Sequence, residues 1–136
     1  MDYKYVATPI LAWLVAGTVK FIVNYIRFRK EAVKLIGNGG FPSTHTTVIS
    51  STVFFIGLSE GIAAPIFGLG VAVLMITIFD AMGLRRAVGK QAAMINQYMS
   101  IDKTAVLLRE RQGHTPVEVL GGLMVGFLLA FLLHSI

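Results

Sequence analysis

Long apolar runs broken by short polar passages dominate the chain. Tyr5–Ile26, Pro65–Met82 and Val117–Ile136 each approach the roughly 20 mostly apolar residues that cross a bilayer as a helix. A fourth run, Thr46–Ala64, carries Thr47, Ser50, Ser51, Thr52, Ser59 and Glu60. Short hydroxyl side chains bond back to their own helix or to a neighbour, so a helix packed within a membrane bundle accommodates them. Between the third and last runs, Gln91–Arg111 mixes Ala92, Met94, Ile95, Met99, Val106 and Leu107 with polar residues. That pattern predicts an amphipathic, interfacial helix, broken near Ser100–Asp102. No repeat, low-complexity tract or linker divides the chain. The expected fold is all-α: a polytopic membrane helix bundle, one domain over residues 1–136, with four spans and the interfacial helix.

Composition supports this picture. Hydrophobic residues make up 55% of the chain and charged residues 14%, against about a quarter charged in soluble domains. The absence of cysteine excludes disulfides, thiolate nucleophiles and Cys-based zinc sites. The net charge of +5 suits anionic lipid or a phosphate ligand in so apolar a chain, rather than nucleic acid. The N-terminus has neither a basic n-region nor a small-residue cleavage site, so its apolar run is expected to remain as a helix.

Charge also predicts orientation. With four spans, the 27–44 and 83–115 loops share one face, and the termini and the 60–65 turn share the other. Of the 12 Lys and Arg residues, all but Lys4 lie on or beside the first face. The bias survives when Lys20, Arg27, Arg85 and Arg86 are set aside as candidate site residues. Positive residues stay inside, so that face is expected to be cytoplasmic.

Ionisable residues in or beside membrane spans are costly and mark candidate sites. Lys20 and Arg27 lie seven residues apart, two helical turns, and so share a face. Together they suit a phosphate as point charge and planar fork; snorkelling to headgroups is the plainer explanation. Gly39–His45, "GGFPSTH", reads as a turn entering a helix, with Ser43 or Thr44 as N-cap. Free N–H groups at such a start bind anions, and His45 would stand where it can give a proton to a leaving oxygen. Ordinary capping beside an interfacial histidine is the alternative.

Asp80, inside an apolar run, needs a cationic partner, and Arg85 or Arg86 can supply it. The arginines alone would serve as topology markers. In "GHTPVE", Thr115, Pro116 and Glu118 form a capping-box pattern. Glu118 also lies four residues after His114, placed to hold the imidazole's tautomer and raise its basicity, which suits attack on phosphorus. Both roles are compatible if Glu118 uses different oxygens for backbone and ring. Lys90, Gln91, Asn96 and Gln97 read as surface or packing polarity.

The order Lys…Arg, Pro-Ser-x-His, Arg, His…carboxylate resembles the type 2 phosphatidic acid phosphatase superfamily, which includes the vanadium haloperoxidases. "GGFPSTHT", "DAMGLRRAVGKQA" and "GHTPVEVLGG" resemble its small divergent membrane branch, over about Lys20–Gly126. The first family motif matches at Lys20 and Arg27, with Phe28 in place of a proline. Its Pro-Ser-Gly-His motif corresponds to Pro42–His45, with Thr44 replacing glycine. In the third motif His114 matches the nucleophile, Glu118 replaces an aspartate, and Leu108 stands where an arginine belongs. Arg85 or Arg86 is the expected substitute, with Arg109 and Arg111 as rivals.

The resemblance implies a phosphatase-like domain acting on a phosphorylated lipid without a metal or other cofactor. Lys20, Arg27 and an arginine of 85–86 would bind phosphoryl oxygens, helped by Ser43 and Thr44. His114 would form a phosphohistidine, and His45 would protonate the departing alkoxide. The expected setting is a bacterial plasma membrane with the site on the cytoplasmic face. Phosphatidylglycerophosphate, phosphatidate and polyprenyl phosphate all fit, and homo-oligomerisation is compatible with so slim a bundle. Two other classes share parts of this pattern. CDP-alcohol phosphotransferases need a set of aspartates, but no Asp follows Asp80 until Asp102. A catalytically degenerate relative that binds anionic lipid or a partner protein is the other. The orientation is tested with a single cysteine at position 38 in sealed vesicles. It should label with an impermeant thiol reagent only from the cytoplasmic side, and labelling from outside would reverse the topology.

Overall fold

The computed structural model describes residues 3–29, 40–99 and 106–136. The Gly37–Gly39 part of the turn and the expected break at Ser100–Asp102 lie outside them. Among the described residues, five α-helices follow in order: α1 (Lys4–Phe28), α2 (Thr44–Glu60), α3 (Pro65–Phe79), α4 (Arg85–Met99) and α5 (Pro116–Ser135). A π-helical turn, Asp80–Leu84, joins α3 to α4 without a break. No strand occurs among the described residues.

Among the described residues, three helices are long and apolar enough to cross a membrane: Lys4–Arg27, the continuous Pro65–Met99, and Pro116–Ser135. The 17 residues of α2 sit at the lower limit of a span, about 17 residues. It is the central helix, packed most extensively on α5 and then on α1 and α3. The end of α1, the starts of α2 and α5 and the π turn therefore share one face, as the four-span topology requires.

Two boundaries differ from the sequence reading. The third apolar run does not stop at Met82 but stays helical to Met99. Asp80 and Arg85 neutralise each other across the turn, with Arg85 Nε 2.5 Å from Asp80 Oδ2, so the charges need no helix end. The amphipathic element is accordingly Arg85–Met99 rather than 91–111, and residues 106–112 are irregular. Gly89, Ala92 and Asn96 form the buried face of α4, and Lys90, Gln91, Met94, Ile95 and Tyr98 are exposed.

The core is a seam between α2 and α5. On α5, Gly122, Gly126 and Ala130 are buried at four-residue spacing, the arrangement that lets membrane helices approach closely. A Cβ at Gly126 would fall 2.1 Å from Ser50 Oγ and 2.9 Å from the Ser51 nitrogen. One at Gly122 would meet the Ser43 carbonyl oxygen at 2.8 Å. Facing this seam, Thr47, Ser50 and Ser51 donate to carbonyls of their own helix, as does Thr52 on another side of it. The hydroxyl-rich run is packing, as expected. At the far end of the bundle, the Tyr5 hydroxyl donates to Glu60. Ser59 Oγ lies 3.3 Å from His134 Nδ1, so α1, α2 and α5 are tied there.

Substitution should separate the seam from the lipid-facing helices. Gly126→Ala is expected to cost about 1–3 kcal/mol through overpacking. Gly68→Ala, with nothing within 4 Å of the new methyl, should be neutral or stabilising by up to ~1 kcal/mol. Thermal unfolding in detergent, followed by helicity, reads the difference.

Candidate active site

The polar end of the bundle is assembled by backbone contacts before any side chain acts. Ser43 is the N-cap of α2 and is fully buried. Its Oγ accepts from the Thr46 N–H at 3.4 Å and from the Thr46 hydroxyl at 2.9 Å. Its own N–H donates to the Glu118 carbonyl at 2.9 Å. Ser43 therefore joins the "PSTH" and "HTPVE" segments directly. Its hydroxyl is turned inward, to cap the helix. Helix geometry leaves the N–H groups of Thr44 and His45 without intrahelical partners, at the end where an anion is favoured. His45 is exposed beside them.

His114 is buried, and its Nδ1 lies 2.9 Å from Glu118 Oε2. Glu118 also completes the capping box, and the expected division of labour does not hold. Oε2 itself also accepts from the Thr115 N–H at 3.1 Å. One oxygen faces both groups because the ring and the first N–H of the turn stand on the same side of the helix start. A carboxylate at Nδ1 makes that nitrogen the N–H donor and leaves Nε2 as the basic nitrogen.

The His114 loop is held by features that sequence reasoning did not mark. Within the π turn the Arg85 N–H reaches back five residues to the Asp80 carbonyl. The next carbonyl, Ala81, accepts from the His114 N–H at 2.9 Å. Gly113 takes φ +77°, and a Cβ there would lie 2.7 Å from the Ala81 oxygen and 2.6 Å from Arg86 Cγ. Only glycine fits. Further along α4, the Asn96 amide pairs with both backbone groups of Leu108 at 2.7 Å and donates to Glu110 Oε1 at 2.8 Å. Read from sequence as surface or packing polarity, Asn96 is the loop's anchor. Its place on the Gly89–Ala92–Asn96 face was the available signal.

The cations distribute unevenly. Lys20 interacts electrostatically with Glu118 and Arg109. His45 interacts with Arg85, His114, Lys20 and Asp80. His45, His114, Lys20, Glu118, Asp80 and Arg85 thus form one neighbourhood, with Arg109 reaching it from the loop. Arg27 lies exposed in the last turn of α1. Arg86 is exposed, its stem packed against the Gly113 position. Arg111 is also exposed. Arg85 is engaged by Asp80, as expected for one of the two arginines.

An all-α membrane bundle with paired histidines and cations at one face is the class this arrangement defines. The sequence model of the Divergent PAP2 family matches residues 1–129, and the chain belongs to that family. It is 30% identical to a Bacillus subtilis (strain 168) protein named "Uncharacterized membrane protein YuiD", over 93% of this chain and 90% of the relative. No solved structure gives a significant match. The protein is an integral membrane protein related to the type 2 phosphatidic acid phosphatases.

The role of Asn96 has a direct readout. Removing its paired bonds in Asn96→Ala forfeits about 1–3 kcal/mol locally, or roughly 5- to 150-fold faster opening. Hydrogen exchange should accelerate by that factor at residues 106–112 while α2 and α5 stay protected.

Proposed function

We propose that the protein is a metal-independent lipid-phosphate phosphatase working through a phosphohistidine, at the cytoplasmic face of a bacterial plasma membrane. The observation that carries this reading is the 2.9 Å contact between His114 Nδ1 and Glu118. It sets the tautomer a nucleophile needs, beside His45, Lys20 and Arg85. In the first step His114 Nε2 attacks phosphorus and the bond from phosphorus to the lipid oxygen breaks. His45 gives its proton to that oxygen, and the lipid alcohol leaves. In the second step His45 takes a proton from water, which attacks the phosphohistidine. The P–N bond breaks and inorganic phosphate departs. Lys20, Arg85 and the N–H groups of Thr44 and His45 stabilise the charge gathered on the phosphoryl oxygens. Glu118 stabilises the imidazolium character that His114 acquires during transfer.

One observation favours a second reading, a catalytically degenerate protein that binds anionic lipid. Asp80 already occupies the Arg85 guanidinium, which a phosphate would have to draw away.

Phosphate release from phosphatidate, phosphatidylglycerophosphate and polyprenyl phosphate by the purified protein decides between them. His114→Ala should fall to background and His45→Ala by about 100- to 10,000-fold. Wild type indistinguishable from His114→Ala would establish the degenerate reading.

A further inference from the structure

One cavity begins at His45 and Arg85 and extends well beyond the histidine chemistry. It lies between α1, α2 and α3 and has a volume of about 740 Å³, within the roughly 300–1,000 Å³ of small-molecule sites. Its walls are apolar: Pro9, Ile10 and Trp13 from α1, Val48 and Ile49 from α2, and Ile76 from α3. Thr77 lines the wall beside Ile76 with its hydroxyl donated to the Val73 carbonyl at 2.8 Å, and Thr44, His45, Asp80 and Arg85 gather the remaining polar groups at one end. Ile10, Trp13 and Ile76 are 57%, 61% and 67% exposed. In a spanning helix such residues face hydrocarbon, so the cavity opens sideways into the bilayer. From Ile76 to Arg85 is nine helical residues, about 13 Å at the helical rise.

We propose that this groove receives one hydrocarbon chain of a phosphate-bearing membrane lipid, which enters sideways between α1 and α3 with its head at His45 and Arg85. The proposal rests on the lipid-phosphate reading above and adds the path of the chain. Lipid tails are as apolar as the groove, so burying a chain there supplies little driving force. Selectivity comes from the head: an anionic phosphate complements Arg85 and the α2 N-terminus and competes with Asp80 for the guanidinium. The chain aligns that phosphate with the histidines, a gain in orientation rather than in affinity. An uncharged lipid of the same chain has no such anchor and exchanges with bulk lipid.

The test uses the whole protein in nanodiscs of neutral lipid, with a lipid phosphate carrying a diazirine at mid-chain and its dephosphorylated alcohol as comparison. After irradiation, adducts are mapped by mass spectrometry. Adducts should concentrate at Trp13, Ile49 and Ile76, and fall on the order of tenfold with the alcohol or in Ile76→Trp, which fills the groove. Leu128→Trp, on the lipid-facing surface of α5 (56% exposed), should leave them unchanged. Three outcomes would overturn the proposal: equal labelling by the alcohol, adducts spread evenly over the outer faces of α3 and α5, or cross-links showing a second copy seated at Ile76. Phosphate release is measured on the same samples. Groove adducts without release keep the groove and sink the phosphatase reading; release with evenly spread adducts does the reverse.

Discussion

The distance between the α2 and α5 backbones is the constraint on which the polar end depends. Gly122 and Gly126 let α5 lie against the Ser43 carbonyl and the Ser50–Ser51 backbone, and Phe41 closes over Gly121 at the same seam. At this separation the Ser43 N–H reaches the Glu118 carbonyl. The segment bearing His45 is thereby registered against the one bearing His114 and Glu118. Van der Waals packing and internal hydrogen bonds drive helix association in lipid, where burial of apolar surface gains nothing. The α2 hydroxyls suit that setting. Bonded to their own helix, they add polar atoms to the seam without leaving any unsatisfied, and among the described residues no buried side-chain polar atom lacks a partner.

A second layer holds the histidine loop from the other side. The π turn turns the Ala81 carbonyl to the His114 N–H, and Asn96 grips Leu108 and Glu110. The candidate nucleophile is thus fixed at backbone, ring and loop, whereas His45 stands exposed on a helix start. That asymmetry fits a chemistry in which one histidine must hold its position through a covalent step and the other exchanges protons with water and substrate.

Much of this was legible in the sequence, for definable reasons. Long apolar runs and the topology they imply follow from local composition, and Thr115–Glu118 carries its capping pattern in four consecutive residues. Ser43 was legible as a cap but not as a buried one, because its burial comes from α5. The continuity of α3 into α4 was hidden: the expected Asp80–Arg pair looks like the end of a span, and nothing in residue spacing shows the π turn that carries the helix through it. The shared Glu118 oxygen, the π turn and the Asn96 anchor depend on three-dimensional phase, which residue spacing does not encode. The groove is contributed by three helices distant in the chain, so no single stretch of it advertises a cavity.

The π turn also separates tolerance to a change of residue from tolerance to a change of length. Of its five residues, Asp80–Leu84, only Ala81 is buried. The backbone phase, by contrast, is committed in both directions, to the lipid-facing α3 behind and to the Gly89–Ala92–Asn96 face ahead. Losing one residue would restore a regular helix yet swing everything after it by about 100°. Asn96 would then point away from Leu108, and the Ala81 carbonyl would rejoin its own helix. In this fold the spelling of the turn is freer than its count, and a one-residue deletion there would unseat a histidine some thirty positions downstream without touching it.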